Sequence, residues 1–160
     1  MSNQINKKFL LSLLIFISFV LFSAFFIEYK LGHEPCKLCV YERIPYFLSI
    51  LLMVKIFFIR KYERETLFIL SLVFVISTFL AFYHFGIEIG FFNESLACAT
   101  EDLSENITKQ ELLEKLKQNT ISCKDVSIKI LGFSLAAINS IFSFVLSVIF
   151  TKLFIHYGKN

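Results

Sequence analysis

The sequence predicts an all-α membrane protein, a bundle of four transmembrane helices with a short amphipathic helix in the second loop on the outer side. Hydrophobic residues make up 56% of the 160 residues, and the mean hydropathy is +0.69. A soluble domain of this length could not bury so much apolar surface. Four apolar runs of helical length account for most of it. We therefore interpret residues 1–160 as a single integral membrane domain.

The four apolar runs cover residues 9–27, 44–59, 66–87 and 130–151. At about 1.5 Å per residue they span roughly 24–33 Å, which suits a hydrocarbon core of about 30 Å. With their flanks they predict helices at about 9–29, 40–60, 65–88 and 129–155, and outer loops at about 30–39 and 89–128. Pro45 leaves the start of the second helix open.

The first run also has one feature of a secretory signal peptide, the basic start at Lys7 and Lys8. Its apolar stretch is longer than the roughly 7–15 residues of such signals. Phe22, Ser23 and Ala24 also lack the small residue that is needed three places before a cleavage point. We interpret the run as a retained helix.

The density of positive charge predicts the orientation. The turn at 60–64 is short and rich in cations, whereas the cations of the other side are spread over longer segments. Both termini and this turn are therefore predicted to be cytoplasmic. Parity then places all four cysteines outside, where disulfides persist.

The second outer loop contains a helix signal. Thr108 to Glu111 read as a capping box, and Leu112, Leu113 and Leu116 follow on one face. We expect a short amphipathic helix on the membrane surface. A solvated helix packed on the bundle is the alternative.

The cysteines form two sets, a C-x-x-C pair at Cys36 and Cys39 and the distant Cys98 and Cys123. Thiols in C-x-x-C motifs often have a lowered pKa, and a helix N-terminus stabilises the thiolate further. Cys36, Cys39 and Arg43 fall on one helical face. The guanidinium can stabilise a thiolate or polarise a carbonyl oxygen of an electron acceptor. Two dithiols on one side of a membrane therefore indicate an electron relay.

Purely structural roles remain possible interpretations of both cysteine pairs. Cys36 and Cys39 could form a static disulfide or half of a metal site, although the sequence offers no second C-x-x-C or Cys/His pair, and we predict no metal ligands. Cys98 and Cys123 could form a structural staple across their loop.

Two ionisable residues near the end of the third run are candidates for a role. An imidazole in a membrane helix is a functional candidate, and His84 could help to deliver protons. It could equally be an interfacial histidine bonded to a carbonyl. We expect Glu88 to be a solvated residue at the helix end.

The segment Pro35-Cys36-Lys37-Leu38-Cys39-Val40-Tyr41-Glu42-Arg43 resembles the C-x-x-C-x-Y-E-R signature of the disulfide bond formation protein B (DsbB) family of bacterial inner membranes. The resemblance extends over the whole chain, in helix order, loop length and all four cysteines. Weaker matches are Tyr83-His84, Gly86-Ile87-Glu88 and the segment 131–136 that opens the last helix.

The resemblance implies an inner-membrane enzyme that reoxidises a periplasmic thioredoxin-fold (DsbA-type) oxidase and passes the electrons to a membrane quinone, either ubiquinone or menaquinone. The implied catalytic residues are Cys36, Cys39, Cys98 and Cys123. The partner attacks Cys98, exchange moves the electrons to the C-x-x-C pair, and Cys39 reduces the quinone. The implied quinone-binding residues are Arg43, Cys39 and His84.

Two other classes of function are compatible with four cysteines. One is a membrane dithiol reductase similar to the vitamin K epoxide reductase group, although that group carries its C-x-x-C in the last helix. The other is a non-enzymatic membrane protein with two structural disulfides. Thiol trapping separates them, because only relay cysteines change their redox state when quinone is depleted.

The orientation gives a first prediction. In a cysteine-free background, a cysteine introduced near position 105 should react with a membrane-impermeant maleimide in intact cells. A cysteine near position 62 should react only after permeabilisation. Labelling of position 62 in intact cells would overturn the topology.

Overall fold

The computed structural model describes residues 7–33, 35–59, 62–93, 123, 129–130 and 132–157. These residues form four helices and one short antiparallel strand pair. The predicted amphipathic helix of the second loop and Cys98 lie outside the described residues. The elements are α1 (Lys7–Leu31), α2 (Lys37–Phe58), α3 (Glu63–Glu88), β1 (Lys129–Ile130), β2 (Phe133–Ser134) and α4 (Leu135–Tyr157).

Three of the helices, α1, α3 and α4, are long and apolar enough to cross a membrane. This agrees with the prediction of an all-helical membrane protein. Helix α2 has 22 residues but carries Lys37, Glu42, Arg43 and Lys55. A fourth span formed by α2 therefore stays a prediction.

Helix α2 begins at Lys37, earlier than the predicted residue 40, and it continues through Pro45. Cys36 is the N-cap, and its sulfur accepts a hydrogen bond from the backbone N–H of Cys39 at 3.2 Å. This bond satisfies one of the N–H groups that a helix leaves unpaired at its start. The C-x-x-C motif thus forms the first turn of the helix.

Helix α4 begins at Leu135, so the predicted start at about residue 129 was wrong. Residues 129–130 pair with residues 133–134 in an antiparallel register. Gly132 allows this reversal because its φ of +88° is a conformation that glycine adopts without strain. Ser134 then starts the helix, since its hydroxyl accepts a hydrogen bond from the N–H of Ala137 at 3.2 Å.

Helices α3 and α4 form the most extensive contact of the bundle, and α1 packs mainly on α2. Aromatic rings fill the centre of the core, where Phe74 stacks on Phe150 with ring centroids 5.4 Å apart and meets Tyr46 edge-on. Many other phenylalanines are exposed, among them Phe58 and Phe79. This distribution is expected where lipid covers the outer surface.

A row of polar groups joins α2, α3 and α4 inside the bundle. The hydroxyl of Tyr46 donates to Oδ1 of Asn139 at 2.5 Å and lies 3.2 Å from Oγ of Ser143. The Ser143 hydroxyl in turn lies 3.0 Å from that of Ser77. Polar groups at membrane depth need such partners because lipid offers none.

This row predicts a specific loss of stability in Tyr46→Phe, which leaves Oδ1 of Asn139 without its donor. Interhelical hydrogen bonds in membranes contribute on the order of 0.6–2 kcal/mol. We expect a loss in that range, measured by thermal unfolding in detergent micelles. The control is Tyr41→Phe, on the same helix but with an exposed ring. Equal unfolding midpoints for the two variants would show that the row does not contribute to stability.

Candidate active site

A cavity of about 340 Å³ lies at the end of the bundle where α2 and α4 begin and α3 ends. Its walls on α1 and α4 are apolar, with Phe16 and Phe142 in edge-on contact across it. Its other end is polar. The polar lining includes Cys36, Cys39, Glu42, Arg43, His84 and Glu88.

The two cysteines of the C-x-x-C motif are free thiols with different exposure. Cys36 is only 6% exposed, whereas Cys39 is half-buried. The pKa of Cys36, which precedes α2, lies below its ordinary value. The main cause is the hydrogen bond from the Cys39 side chain; the neighbouring His84 lowers the pKa further, and burial opposes both. Cys36 is therefore the thiol that this site activates.

His84 connects Cys36 to a buried carboxylate. Its Nε2 lies 3.5 Å from Sγ of Cys36, and its Nδ1 lies 2.7 Å from Oε1 of Glu42. With the proton on Nδ1, the ring donates to Glu42 and turns Nε2 toward the thiol as an acceptor. The side chains of His84 and Glu42 are 3% and 8% exposed. The arrangement is that of a thiol, a base and a carboxylate that orients the base.

Asn139 of α4 hydrogen-bonds to the other oxygen of the Glu42 carboxylate, with Nδ2 donating to Oε2 at 2.6 Å. Since the same amide accepts from Tyr46, the polar row of the bundle ends at this carboxylate. Sequence reasoning missed Glu42, Asn139 and Tyr46. The sequence did contain signals for two of them. Glu42 belongs to the C-x-x-C-x-Y-E-R signature, and Asn139 is the most polar residue of the last apolar run.

Arg43 lines the same cavity as the cysteines, and its described partners are on α1. The guanidinium forms an ion pair with Oε2 of Glu28 and lies 4.9 Å from the centroid of the Phe25 ring. It is thus held at the apolar wall by a charge and a ring, in a position to offer its remaining N–H groups to the cavity.

Glu88 is not the solvated residue that we expected. Its side chain is 9% exposed, and Oε1 lies 3.9 Å from Nε2 of His84. Oε2 is buried and has no hydrogen-bond partner among the described residues. Glu88 also lines the cavity. Glu88 therefore belongs to the site.

Cys123 reaches the same place from the second loop. It is disulfide-bonded and 2% exposed, and it packs in one buried cluster with Cys36, Leu38 and Ile87. Its sulfur partner lies outside the described residues. The structure thus brings Cys36, Cys39, Cys123, Arg43 and His84 together at one cavity. Cys98 lies outside the described residues.

The sequence is similar to those of known proteins over most of its length. A family model described as "Disulfide bond formation protein DsbB" matches residues 6–153. The uncharacterized protein RP370 of Rickettsia prowazekii (strain Madrid E) is 32% identical over an alignment 164 residues long. The alignment covers 99% of this chain and 95% of the relative. No solved structure matches the chain.

The contact between His84 and Cys36 predicts how fast this thiol reacts. With the other three cysteines replaced by serine, His84→Gln should slow alkylation of Cys36 by iodoacetamide at least about tenfold, because a positioned base contributes about that much or more. Mass spectrometry follows the reaction. The control is His33→Gln, an exposed residue at the cavity. Equal rates in both variants would exclude His84 as the base.

Proposed function

The chain belongs to the family of disulfide bond formation protein DsbB, and we propose that it reoxidises a periplasmic dithiol protein of thioredoxin fold and passes the electrons to a membrane quinone. As a family member it is an inner-membrane protein of disulfide bond formation. One observation carries the finer proposal. Cys36 is buried, lies next to the imidazole of His84, and packs with Cys123 at the polar end of an otherwise apolar cavity.

The proposed route begins at the second cysteine pair. A thiolate of the partner attacks Cys98, the bond between Cys98 and Cys123 breaks, and a mixed disulfide forms. The second thiol of the partner resolves it, so that the partner leaves oxidised and Cys98 and Cys123 are reduced. Exchange with the Cys36–Cys39 disulfide then moves the two electrons inward. The packing of Cys123 against Cys36 supports this order.

His84 and Glu42 supply the proton transfer that this exchange needs. An attacking thiol must lose its proton, and a sulfur that leaves a disulfide departs as a thiolate. Nε2 of His84, beside Cys36, can accept such a proton, and the protonated ring then stabilises the thiolate. Glu42 stabilises the positive ring that results, and Asn139 keeps the carboxylate in place. The proton stays within the cavity, next to the atoms that need it.

The residues of the cavity fit a quinone. A quinone has a polar ring and an apolar tail, and the cavity has a polar end and apolar walls on α1 and α4. Arg43 and His84 are the donors that would hold its oxygens, and Cys39 is the more accessible thiol. When bound, a quinone supplies an acceptor for two electrons and two protons. Because α1 packs mainly on α2, the side between α1 and α4 offers a route from the bilayer.

The orientation proposed from the sequence matches this route. All described cysteines lie at the end of the bundle opposite the turn between α2 and α3, where the sequence has its dense positive charge. With that turn in the cytoplasm, the cysteines face the periplasm. There they meet a soluble partner on one side and the bilayer on the other.

The experiment that tests the function mixes the purified protein with a reduced thioredoxin-fold oxidase and a short-chain quinone. We expect loss of quinone absorbance that stops when Cys36 or Cys39 is replaced by serine. Mixed instead with the oxidised partner, whose disulfide the Cys98 thiolate can attack, Cys123→Ser should accumulate a mixed disulfide, because no Cys123 thiol is present to resolve it. Cys98→Ser should form no such complex.

Two results would contradict this scheme. Trapping by Cys98→Ser but not by Cys123→Ser would reverse the order of attack. Cysteines that stay oxidised at steady state, with and without quinone, would identify two structural disulfides instead.

Arg43 provides a second test in the same assay. Arg43→Ala should raise the KM for quinone at least about tenfold, because a charge-assisted hydrogen bond of about 1.5–3 kcal/mol is lost. Arg43→Lys should raise it less, since lysine keeps the charge but not the planar donor geometry. The KM for the reduced partner should stay near that of the wild type.

The ion pair with Glu28 makes the test sharper. Glu28→Gln removes the group that holds the guanidinium, and we expect an intermediate rise in the KM for quinone. Arg64→Ala is the matched control, because Arg64 also lies over a phenylalanine ring but at the other end of the bundle. An unchanged quinone KM in Arg43→Ala would identify Arg43 as a headgroup anchor.

A further inference from the structure

The cavity brings together a set of metal ligands that are distant in the sequence. The ligand atoms of Cys36, Cys39 and His84 all lie within 4.8 Å of one another. A C-x-x-C pair is half of a common zinc site, and the missing part is a second pair of ligands. The sequence alone predicted none because no Cys/His pair stands near the motif. Folding places His84 of α3 beside it.

The histidine is already oriented as a metal ligand. Metal-binding histidines usually donate their other ring N–H to a carboxylate, which fixes the tautomer and makes the free nitrogen a better ligand. His84 does this through Nδ1, which lies 2.7 Å from Oε1 of Glu42. Asn139 holds the carboxylate in turn. Nε2 is the nitrogen that remains for an ion between it and the thiols.

A fourth ligand is available in Glu88. Its side chain is 9% exposed and lines the cavity, and Oε1 lies 3.9 Å from Nε2 of His84. Its Oε2 is buried, and no group in the described part of the chain hydrogen-bonds to it. A buried carboxylate oxygen without a partner is costly, and coordination of a cation removes that cost. Two thiolates, an imidazole and a carboxylate make a tetrahedral set that zinc accepts.

We propose that the reduced protein binds one zinc-class divalent ion through Cys36, Cys39 and His84, with Glu88 as the fourth ligand. Thiolate and imidazole ligands favour Zn²⁺ and Cd²⁺ over Mg²⁺ and Ca²⁺. Binding displaces the thiol protons and moves no electrons. The Cys36–Cys39 disulfide offers no thiolates, so the oxidised pair does not hold the ion.

The consequence of binding rests on the proposed function, whereas binding itself does not. An ion on both thiols blocks their oxidation, and an ion on Nε2 of His84 removes the proton acceptor. The metal is therefore an inhibitor that acts only on the reduced C-x-x-C pair. It competes with electron transfer at the same sulfur atoms.

The test measures binding without any partner or quinone. Full-length protein with Cys98 and Cys123 replaced by serine is reduced in detergent, and the reductant is removed. We expect one Zn²⁺ per chain by competition with a chromogenic chelator, and an ultraviolet cadmium–thiolate band when Cd²⁺ replaces it. The same protein with its C-x-x-C pair oxidised should bind neither ion.

Variants identify the ligands. Cys39→Ser and His84→Gln should each abolish stoichiometric binding, and Glu88→Gln should weaken it about tenfold. Glu42→Gln should weaken it about 10–100-fold through the orientation of His84. His33→Gln, at the cavity but outside the ligand set, should bind like the parent protein. Unfolding midpoints of all variants show that each one is folded.

Three outcomes would overturn the site. They are no binding to the reduced parent protein, stoichiometric binding that survives His84→Gln, and undiminished binding in Glu88→Gln. The inhibitory role has its own readout. Zn²⁺ added to the reduced wild-type protein should suppress quinone reduction until a chelator is added. Binding without suppression would remove the inhibitory role and keep the site, and a protein without redox activity could still show the site.

Discussion

The buried carboxylate of Glu42 is the group on which the arrangement of the helices depends. Removing an ionised group from water costs several kcal/mol unless partners replace the lost hydration. Here each carboxylate oxygen has a hydrogen-bond partner: His84 of α3 at Oε1 and Asn139 of α4 at Oε2. A single side chain of α2 therefore sets the positions of two other helices. In a bilayer, where apolar contacts discriminate poorly between helix pairings, such a group gives the bundle its register.

The next residue along α2 extends this framework to the remaining helix. Arg43 turns away from Glu42 and pairs with Glu28 of α1, while its guanidinium covers the ring of Phe25. Two adjacent residues of opposite charge thus connect α2 to all three of its neighbours. The cavity forms between these connections, with the cation on one side and the histidine on the other. The same contacts that stabilise the end of the bundle also define the place where chemistry can occur.

The sequence predicted those parts of the molecule that depend on local pattern. Apolar length predicted the helices, and the C-x-x-C motif with its following arginine predicted the end of the bundle at which we propose the active site. What it missed depends on contacts between distant residues. Glu42 meets His84 and Asn139 across separations of 42 and 97 residues, which no helical periodicity reveals. The same holds for Glu88, which looks solvated at a helix end in the sequence but lies close to His84 in the fold. The predicted start of α4 was wrong because a chain reversal at a glycine inside an apolar run hardly changes the hydropathy.

A thiol that is easily deprotonated beside an oriented imidazole is both a good electron carrier and a good metal ligand, since both roles use the thiolate and the lone pair of Nε2. On the proposed function, the oxidation state decides between them. A disulfide between Cys36 and Cys39 can accept electrons, but it has no thiolate that could bind a metal ion. The dithiol exists only between exchange with Cys123 and transfer to the quinone. A rapid supply of quinone therefore keeps the enzyme turning over and also shortens the interval in which a zinc-class ion can bind.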